Sequence, residues 1–271
     1  MKHKINLVGD SFTHLTGGNK GYSVHGKESK YIEWVKDPSL LETFYIDNLI
    51  STAFSDKVGG VKYGWIHESR EVASNIFLDV KQNYEKYFEV FKYIFTHNKE
   101  LLELDSRFKW CPANGYWIED AKLYPKSKMI SFITSNKNFT EGHKKRLEWV
   151  NKIGDQVDLF GRGFNEIETK EEGLCDYMFS VVIENGFYQS YFTEKLLDCF
   201  ATGTIPVYLG TSDIGDYFNK DGIIDLTEEF DVSEEIYYSK MDAIKENLER
   251  IKNIEVLEDF IYMEYLKNDI I

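Results

Sequence analysis

The chain has 271 residues, 42% of them hydrophobic, and a formal net charge of −14, with an isoelectric point near 5.0. That apolar content supports one large α/β domain or two small ones, and the acidity argues against nucleic acid as the main partner. No apolar run is long enough to span a bilayer and no signal-peptide pattern opens the chain, so a cytoplasmic protein with no integral membrane segment is expected.

The first half alternates short β-branched or aromatic runs, at residues 5–8, 43–46, 61–67 and 93–96, with helical stretches around 72–88 and 99–104. The run 61–67 delivers Glu68 to its carboxyl end, where a carboxylate can serve as a base, pair with Arg70 or cap the next helix. Asp10 and Glu28 are weaker candidates for a base. Tyr116 and Trp117 are expected to close this first domain near a cleft, where an aromatic ring can stack on a sugar or pack in a core. Cys111, Cys175 and Cys199 have neither paired nor zinc-like spacing and read as reduced structural residues.

A second alternation begins near residue 128. Residues 129–134 read as a strand that leads through Ser135 and Asn136 into an amphipathic helix carrying His143, Lys144, Lys145 and Arg146. His143 in that position suits either a sugar contact or helix packing. Residues 157–160 read as a strand running into Gly161-Arg162-Gly163, a turn that permits close backbone approach but lacks the spacing of a dinucleotide fingerprint. The richest stretch is 179–210. Residues 179–183 have the pattern of a buried strand and end in Glu184 and Asn185. After a loop with Tyr188 and Tyr191, Thr193 is an N-cap, Leu196, Leu197 and Phe200 share a helical face, Gly203 closes the helix, and 205–209 start another strand.

Such a βαβ unit collects ligands at the carboxyl ends of its strands, where helix N-termini offer free amides to anions. Lys195 is mildly unfavourable for the helix itself and is better explained by a bound anion such as a diphosphate. Glu194 beside it can accept hydrogen bonds from ribose or sugar hydroxyls. An ordinary exposed Glu-Lys pair is the plainer alternative. Residues 254–266 read as an amphipathic C-terminal helix.

In its ordered combination of Glu184, Asn185, Tyr191, Thr193, Glu194 and Lys195, followed by Pro206, Val207 and Gly210, this segment resembles the donor-site signature of the family 10 glycosyltransferases, the α1,3-fucosyltransferases. One position departs: Gly186 stands where the family usually has Ser or Thr. The resemblance implies an α/β fold of GT-B type, two Rossmann-like domains facing a central cleft. The acceptor-side domain would be 1–127 and the nucleotide-sugar-binding domain 128–253, with 254–271 a helix packing back on the first. It further implies Arg146 as a donor-phosphate ligand, Gly161 and Gly163 as backbone contacts near the nucleotide base, and Glu68 as the catalytic base, with Arg70 replacing the Pro found in animal relatives.

The implied reaction is an inverting transfer of L-fucose from GDP-fucose to a hydroxyl of a cell-surface glycan, of O-antigen or capsule type. The partners would be a nucleotide-sugar donor and a glycan acceptor. No cofactor or metal is expected, since no Asp-any-Asp triplet of the metal-dependent sugar transferases occurs. The alternatives are the same scaffold with a different nucleotide sugar, and a catalytically idle nucleotide- or glycan-binding protein. The combination of Glu68, Arg146, Glu194 and Lys195 argues against the idle protein, which would not need phosphate-binding cations.

Overall fold

Short apolar runs separated by helices favour parallel sheets, because parallel neighbours need long crossover connections. The computed structural model describes residues 2–9, 29–254 and 256–267. Asp10 and Glu28 lie outside these described residues. The chain divides into one unit of Met1–Asn114 with Val256–Ile271 and another of Gly115–Glu255.

The first unit holds β1 (His3–Val8), β2 (Ile32–Val35), β3 (Glu42–Ile46), β4 (Val61–Ile66), β5 (Phe91–Thr96) and β6 (Phe108–Trp110). They form an all-parallel sheet in the order β2-β1-β3-β4-β5-β6. Alternation sends Tyr45, Ile66 and Ile94 to one face, where Ile76, Phe77 and Val80 of α1 (Ser74–Tyr87) cover them. Phe44, Tyr63, Trp65 and Phe95 form the core of the opposite face. Helix α2 (Lys99–Leu102) follows β5 and is capped by Asn98.

In the second unit β7 (Lys128–Ile133), β8 (Asp158–Phe160), β9 (Tyr177–Ile183), β10 (Ile205–Leu209) and β11 (Ile224–Asp225) pair in parallel in the order β11-β10-β9-β7-β8. Its helices are α3 (Glu141–Ile153), α4 (Glu171–Leu174), α5 (Glu194–Thr202), α6 (Glu234–Ser239) and α7 (Met241–Ile251). Every residue of β9 is buried, as befits a strand covered on both faces. From β7 the chain steps outward to β8, then returns to the other side for β9, β10 and β11. The strand order therefore reverses at the carboxyl ends of β7 and β9, the position where open α/β sheets take their ligands.

Residues 115–127 group with the second unit, not the first. The reason is their bonding to α5: Trp117 N donates to Asp198 Oδ1 at 2.5 Å and Lys122 N to Ala201 O at 3.0 Å. Tyr116 is accordingly a core residue of the second unit, and Trp117 carries Lys170 Nζ 4.6 Å above its ring. After α7 the chain continues into α8 (Leu257–Ile261), followed by a π-turn over Tyr262–Leu266. Leu257, Ile261 and Leu266 join the first unit's core, and Trp34 Nε1 donates to Glu258 at 3.0 Å. No helix among the described residues is long and apolar enough to cross a membrane.

Candidate functional site

At the carboxyl end of β9, Glu184 is fully buried and accepts hydrogen bonds from Thr193 N at 2.9 Å and the Thr193 hydroxyl at 2.8 Å. It thus braces the start of α5, the helix that carries Glu194 and Lys195. Thr193 caps α5 as expected, accepting from Lys195 N. Burial pushes the Glu184 carboxyl above its ordinary pKa, against the pull of the Lys195 charge.

Lys195 Nζ lies 3.1 Å from Thr193 Oγ1, 3.0 Å from Glu194 Oε1 and 3.9 Å from Glu184 Oε2, so a bound anion is not needed to account for its charge. Glu194 has a second cation in reach, Lys170 Nζ at 3.9 Å, and Lys170 in turn holds the buried Asp198 at 2.6 Å. Burial opposes ionisation of Glu194, but Lys195 and Lys170 overcome it and hold its carboxyl well below the usual range.

Arg146, on α3 and 5% exposed, donates from Nε to Ile183 O at 2.8 Å and from Nη2 to Asn185 Oδ1 at 2.7 Å. The guanidinium is fixed at the end of β9, and its Nη1 makes no hydrogen bond with any described residue. This approach of helix to strand requires Gly142, because a Cβ there would stand 1.8 Å from Glu184 O. His143 resolves to a capping role: its N–H donates to Thr140 Oγ1 at 3.1 Å and its Nδ1 lies 2.6 Å from the same oxygen. Burial first, then the charges of Arg146, Lys137 and Lys195, lower its pKa to about 4.

Gly161 (φ 107) and Gly163 (φ 87) occupy the left-handed region, and a Cβ would strike Thr134 O at 2.0 Å in one case and Asn136 Nδ2 at 2.5 Å in the other. Their turn extends the β7–β8 pairing through Thr134 N to Phe160 O and Asn136 N to Arg162 O. It holds residues 134–136 at the strand-order reversal, where Thr134 Oγ1 is buried without a hydrogen-bond partner among the described residues. Tyr191 stacks on Tyr188 at 4.7 Å, in a loop pinned by Ser190. Ser190 has φ 65, its N donates to Asp213 Oδ1 at 2.9 Å, and its hydroxyl accepts from Tyr217 at 2.8 Å.

The structure therefore gathers Arg146, Glu184, Asn185, Thr193, Glu194 and Lys195 into one bonded cluster, with Tyr191 in the adjoining loop. Gly161 and Gly163 lie at the same edge of the sheet, at the end of β8. Thr134, Thr140, Asp198 and Asp213 escaped the sequence reading, Asp198 and Asp213 because their partners Lys170, Trp117 and Ser190 are distant in the chain. For Thr140 alone a local signal existed, the N-cap position before α3.

Glu68 belongs to the other unit, at the end of β4, half-buried. Its N–H donates to Asp47 Oδ1 at 3.1 Å, and its carboxylate makes no hydrogen bond or ion pair among the described residues. Arg70 instead pairs with Glu100 at 2.5 Å, and α1 starts without a side-chain cap, so neither plainer use of Glu68 is found. Among the described residues no group of three or more His, Cys, Asp or Glu side chains is arranged to hold a metal ion.

Residues 123–253 match the family described as glycosyltransferase family 10 (fucosyltransferase) C-term. Over 94 residues, 32% of this chain and 25% of the relative, the sequence is 29% identical to the 4-galactosyl-N-acetylglucosaminide 3-alpha-L-fucosyltransferase 9 of Bos taurus. Over 78 residues, 29% of this chain and 16% of the relative, it is 32% identical to the alpha-(1,3)-fucosyltransferase FucT of Helicobacter pylori. The chain thus matches a quarter or less of the length of these relatives.

A crystal structure of α1,3-fucosyltransferase with GDP superposes with a TM-score of 0.55 at 15% identity, covering 99% of this chain and 91% of that one. A crystal structure of α1,3-fucosyltransferase with GDP-fucose gives 0.50 at 15% identity, covering 92% of this chain and 81% of that one. At these identities the likeness establishes the fold, mixed α/β with two parallel sheets and of GT-B type. Residues 123–253, which carry the whole Arg146–Lys195 cluster, are thus the part of the chain that is similar to the glycosyltransferase family 10 (fucosyltransferase) C-terminal segment.

Proposed function

We propose that the protein is an inverting fucosyltransferase that moves L-fucose from GDP-fucose to a hydroxyl of a cell-surface glycan of O-antigen or capsule type. The observation that carries this reading is the cluster at the end of β9, where the Arg146 guanidinium, fixed on Ile183 O and Asn185, and Lys195 at the start of α5 gather around Glu184 and Glu194 within the family 10 segment. A guanidinium with one edge open and a helix N-terminus suit a diphosphate, and they stabilise the charge that develops on it as it leaves. One α1,3-fucosyltransferase structure that shares this fold is a structure with GDP-fucose.

In the proposed reaction the acceptor oxygen attacks the anomeric carbon from the face opposite the diphosphate. Its proton passes to the Glu68 carboxylate, the bond from the anomeric carbon to phosphate oxygen breaks, and the electron pair leaves with GDP. Tyr191, Gly161 and Gly163 complete the donor-binding set in this proposal. A cytoplasmic location belongs to the same reading and is supported by three free cysteines, two of them buried.

The test is thermal unfolding with GDP, UDP, CDP and dTDP, with and without Mg²⁺, where a ligand at one hundred times its dissociation constant adds about 2.7 kcal/mol. Release of GDP from GDP-fucose is then measured with O-antigen-type oligosaccharides and 4-galactosyl-N-acetylglucosaminide as acceptors. A selective shift with GDP and acceptor-dependent turnover are expected, and Glu68→Gln should lower turnover by about two to four orders of magnitude while GDP affinity holds. A selective shift with another nucleotide replaces the donor assignment. No shift with any of the four sinks the enzyme reading.

A further inference from the structure

Three neighbouring strands of the first unit end in buried polar side chains: Asp47 after β3, His67 after β4, and His97 with Asn98 after β5. One carboxylate ties this group together. Asp47 Oδ1 accepts the N–H of His67 at 2.8 Å and that of Glu68 at 3.1 Å, while Oδ2 lies 2.9 Å from His67 Nδ1. Asp47 is also one of two non-glycine residues with positive φ among the described residues, at 45°.

A buried carboxylate and a left-handed backbone are each costly, and such features persist where the surroundings over-determine them, often at functional sites. A strand end needs neither. What they accomplish here is specific: two successive amides and the ring between them are held by a single side chain. Because no side chain among the described residues holds the Glu68 carboxylate, its position is set by its backbone, and that backbone is held by Asp47.

We propose that Asp47 is a positioning residue for the transfer reaction, clamping the His67–Glu68 segment so that the Glu68 carboxylate meets the acceptor hydroxyl. The proposal rests on the reading of Glu68 as the base. It goes beyond that reading by assigning the orientation of the base to a carboxylate on the neighbouring strand, with His67 as the second point of attachment.

The test is a double-mutant cycle on turnover of GDP-fucose with 4-galactosyl-N-acetylglucosaminide, using Asp47→Asn, Glu68→Gln and the pair together. Asparagine still accepts the two amide hydrogen bonds but loses the charge and the original bond to the imidazole. Asp47→Asn should lower kcat about 10- to 100-fold, as expected for a misplaced reacting group, with the Kd for GDP unchanged. It should cost little further in the Glu68→Gln background, because residues that act through one another are non-additive.

Native kcat in folded Asp47→Asn, or an equal loss in both backgrounds, would overturn the assignment. If Asp47→Asn shows no cooperative unfolding transition, His67→Gln takes its place in the same cycle, with the same two outcomes deciding. Native turnover in Glu68→Gln alone overturns both assignments, whereas additive losses overturn only that of Asp47.

Discussion

Replacing Gly142 by Ala reverses the usual rule for a glycine inside a helix. In an open helix position the change stabilises by about 0.4–1 kcal/mol, through helix propensity and a less entropic unfolded chain. At position 142 the new Cβ would stand 1.8 Å from Glu184 O and 2.7 Å from Asn185 Cα, where ordinary contact begins at 3.4 Å. Both obstacles are backbone at the end of a buried strand, so relief demands that the start of α3 move away by about 1.6 Å. That shift breaks the 3.1 Å bond from Gly142 N to Asn185 O and drags Arg146 from its two acceptors.

Overpacking costs about 1–3 kcal/mol and a lost hydrogen bond about 1 kcal/mol more, so a net loss of about 2 kcal/mol survives the propensity gain. At about 2–4 °C per kcal/mol, Tm should fall by about 4–8 °C. GDP affinity should fall about tenfold or more with the displaced guanidinium. Gly154→Ala is the internal control: Gly154 has φ −55, and its Cβ would meet only Val150 Cγ1, at an ordinary 3.7 Å. Calorimetric unfolding and GDP titration of both variants decide the matter. A Gly142→Ala protein as stable as its parent, with unchanged GDP affinity, would refute the argument that this close approach positions Arg146.

Thr193→Val removes both the cap of α5 and the hydroxyl that satisfies buried Glu184 Oε2. Together these should cost about 2–4 kcal/mol in denaturant unfolding, and a loss under about 0.5 kcal/mol would show that Glu184 finds another donor. His97 should make stability fall with acid. Burial first, then the positive charges of His67 and Arg70 against the opposing pull of Asp47, lowers its pKa to about 3. The unfolded chain therefore takes up a proton below about pH 6.5 that the folded protein refuses. The His97 contribution is fully present above pH 6.5 and is lost as pH falls toward 3, with a slope nearing about 1.4 kcal/mol per pH unit. Urea unfolding at pH 7, 5.5 and 4.5 should show a shallower fall for His97→Gln than for the parent, and equal slopes would mean that the native protein protonates this ring.

The alternation of strands and helices is legible because β4, β5, β7, β9 and β10 are runs dominated by apolar or aromatic residues and bounded by polar ones. Strands β2, β6 and β11 have four, three and two residues, too few for any period to register, and they form by pairing at sheet edges. Tyr116 and Trp117 were read with the first domain because local sequence does not show that Asp198, about eighty positions later, takes the Trp117 amide. The same limit applied within the site. Sequence places Glu184 beside Asn185 at a strand end and Thr193 at a helix cap, but only the fold shows that Glu184 and Thr193 are each other's partners. Asp47 passed unnoticed because an aspartate after a strand ordinarily marks a turn, and its three donors come from a different strand end.

The mutual pairing within the site bears on how it can bind an anion at all. Arg146, Lys170 and Lys195 would repel one another if nothing opposed them, and desolvation would raise that cost. Glu184, Glu194 and Asp198 supply the opposition, each from a buried or nearly buried position. In the proposed function, a diphosphate arriving at Arg146 Nη1 and Lys195 need not neutralise three bare cations. It competes with Glu194 and Glu184 for Lys195, and burial already biases Glu184 toward its neutral form. Affinity in such an arrangement is moderated, since part of the phosphate's attraction replaces carboxylate contacts. In this proposal discrimination is retained, because only a ligand that reaches the guanidinium edge and Lys195 together regains what the displaced carboxylates lose.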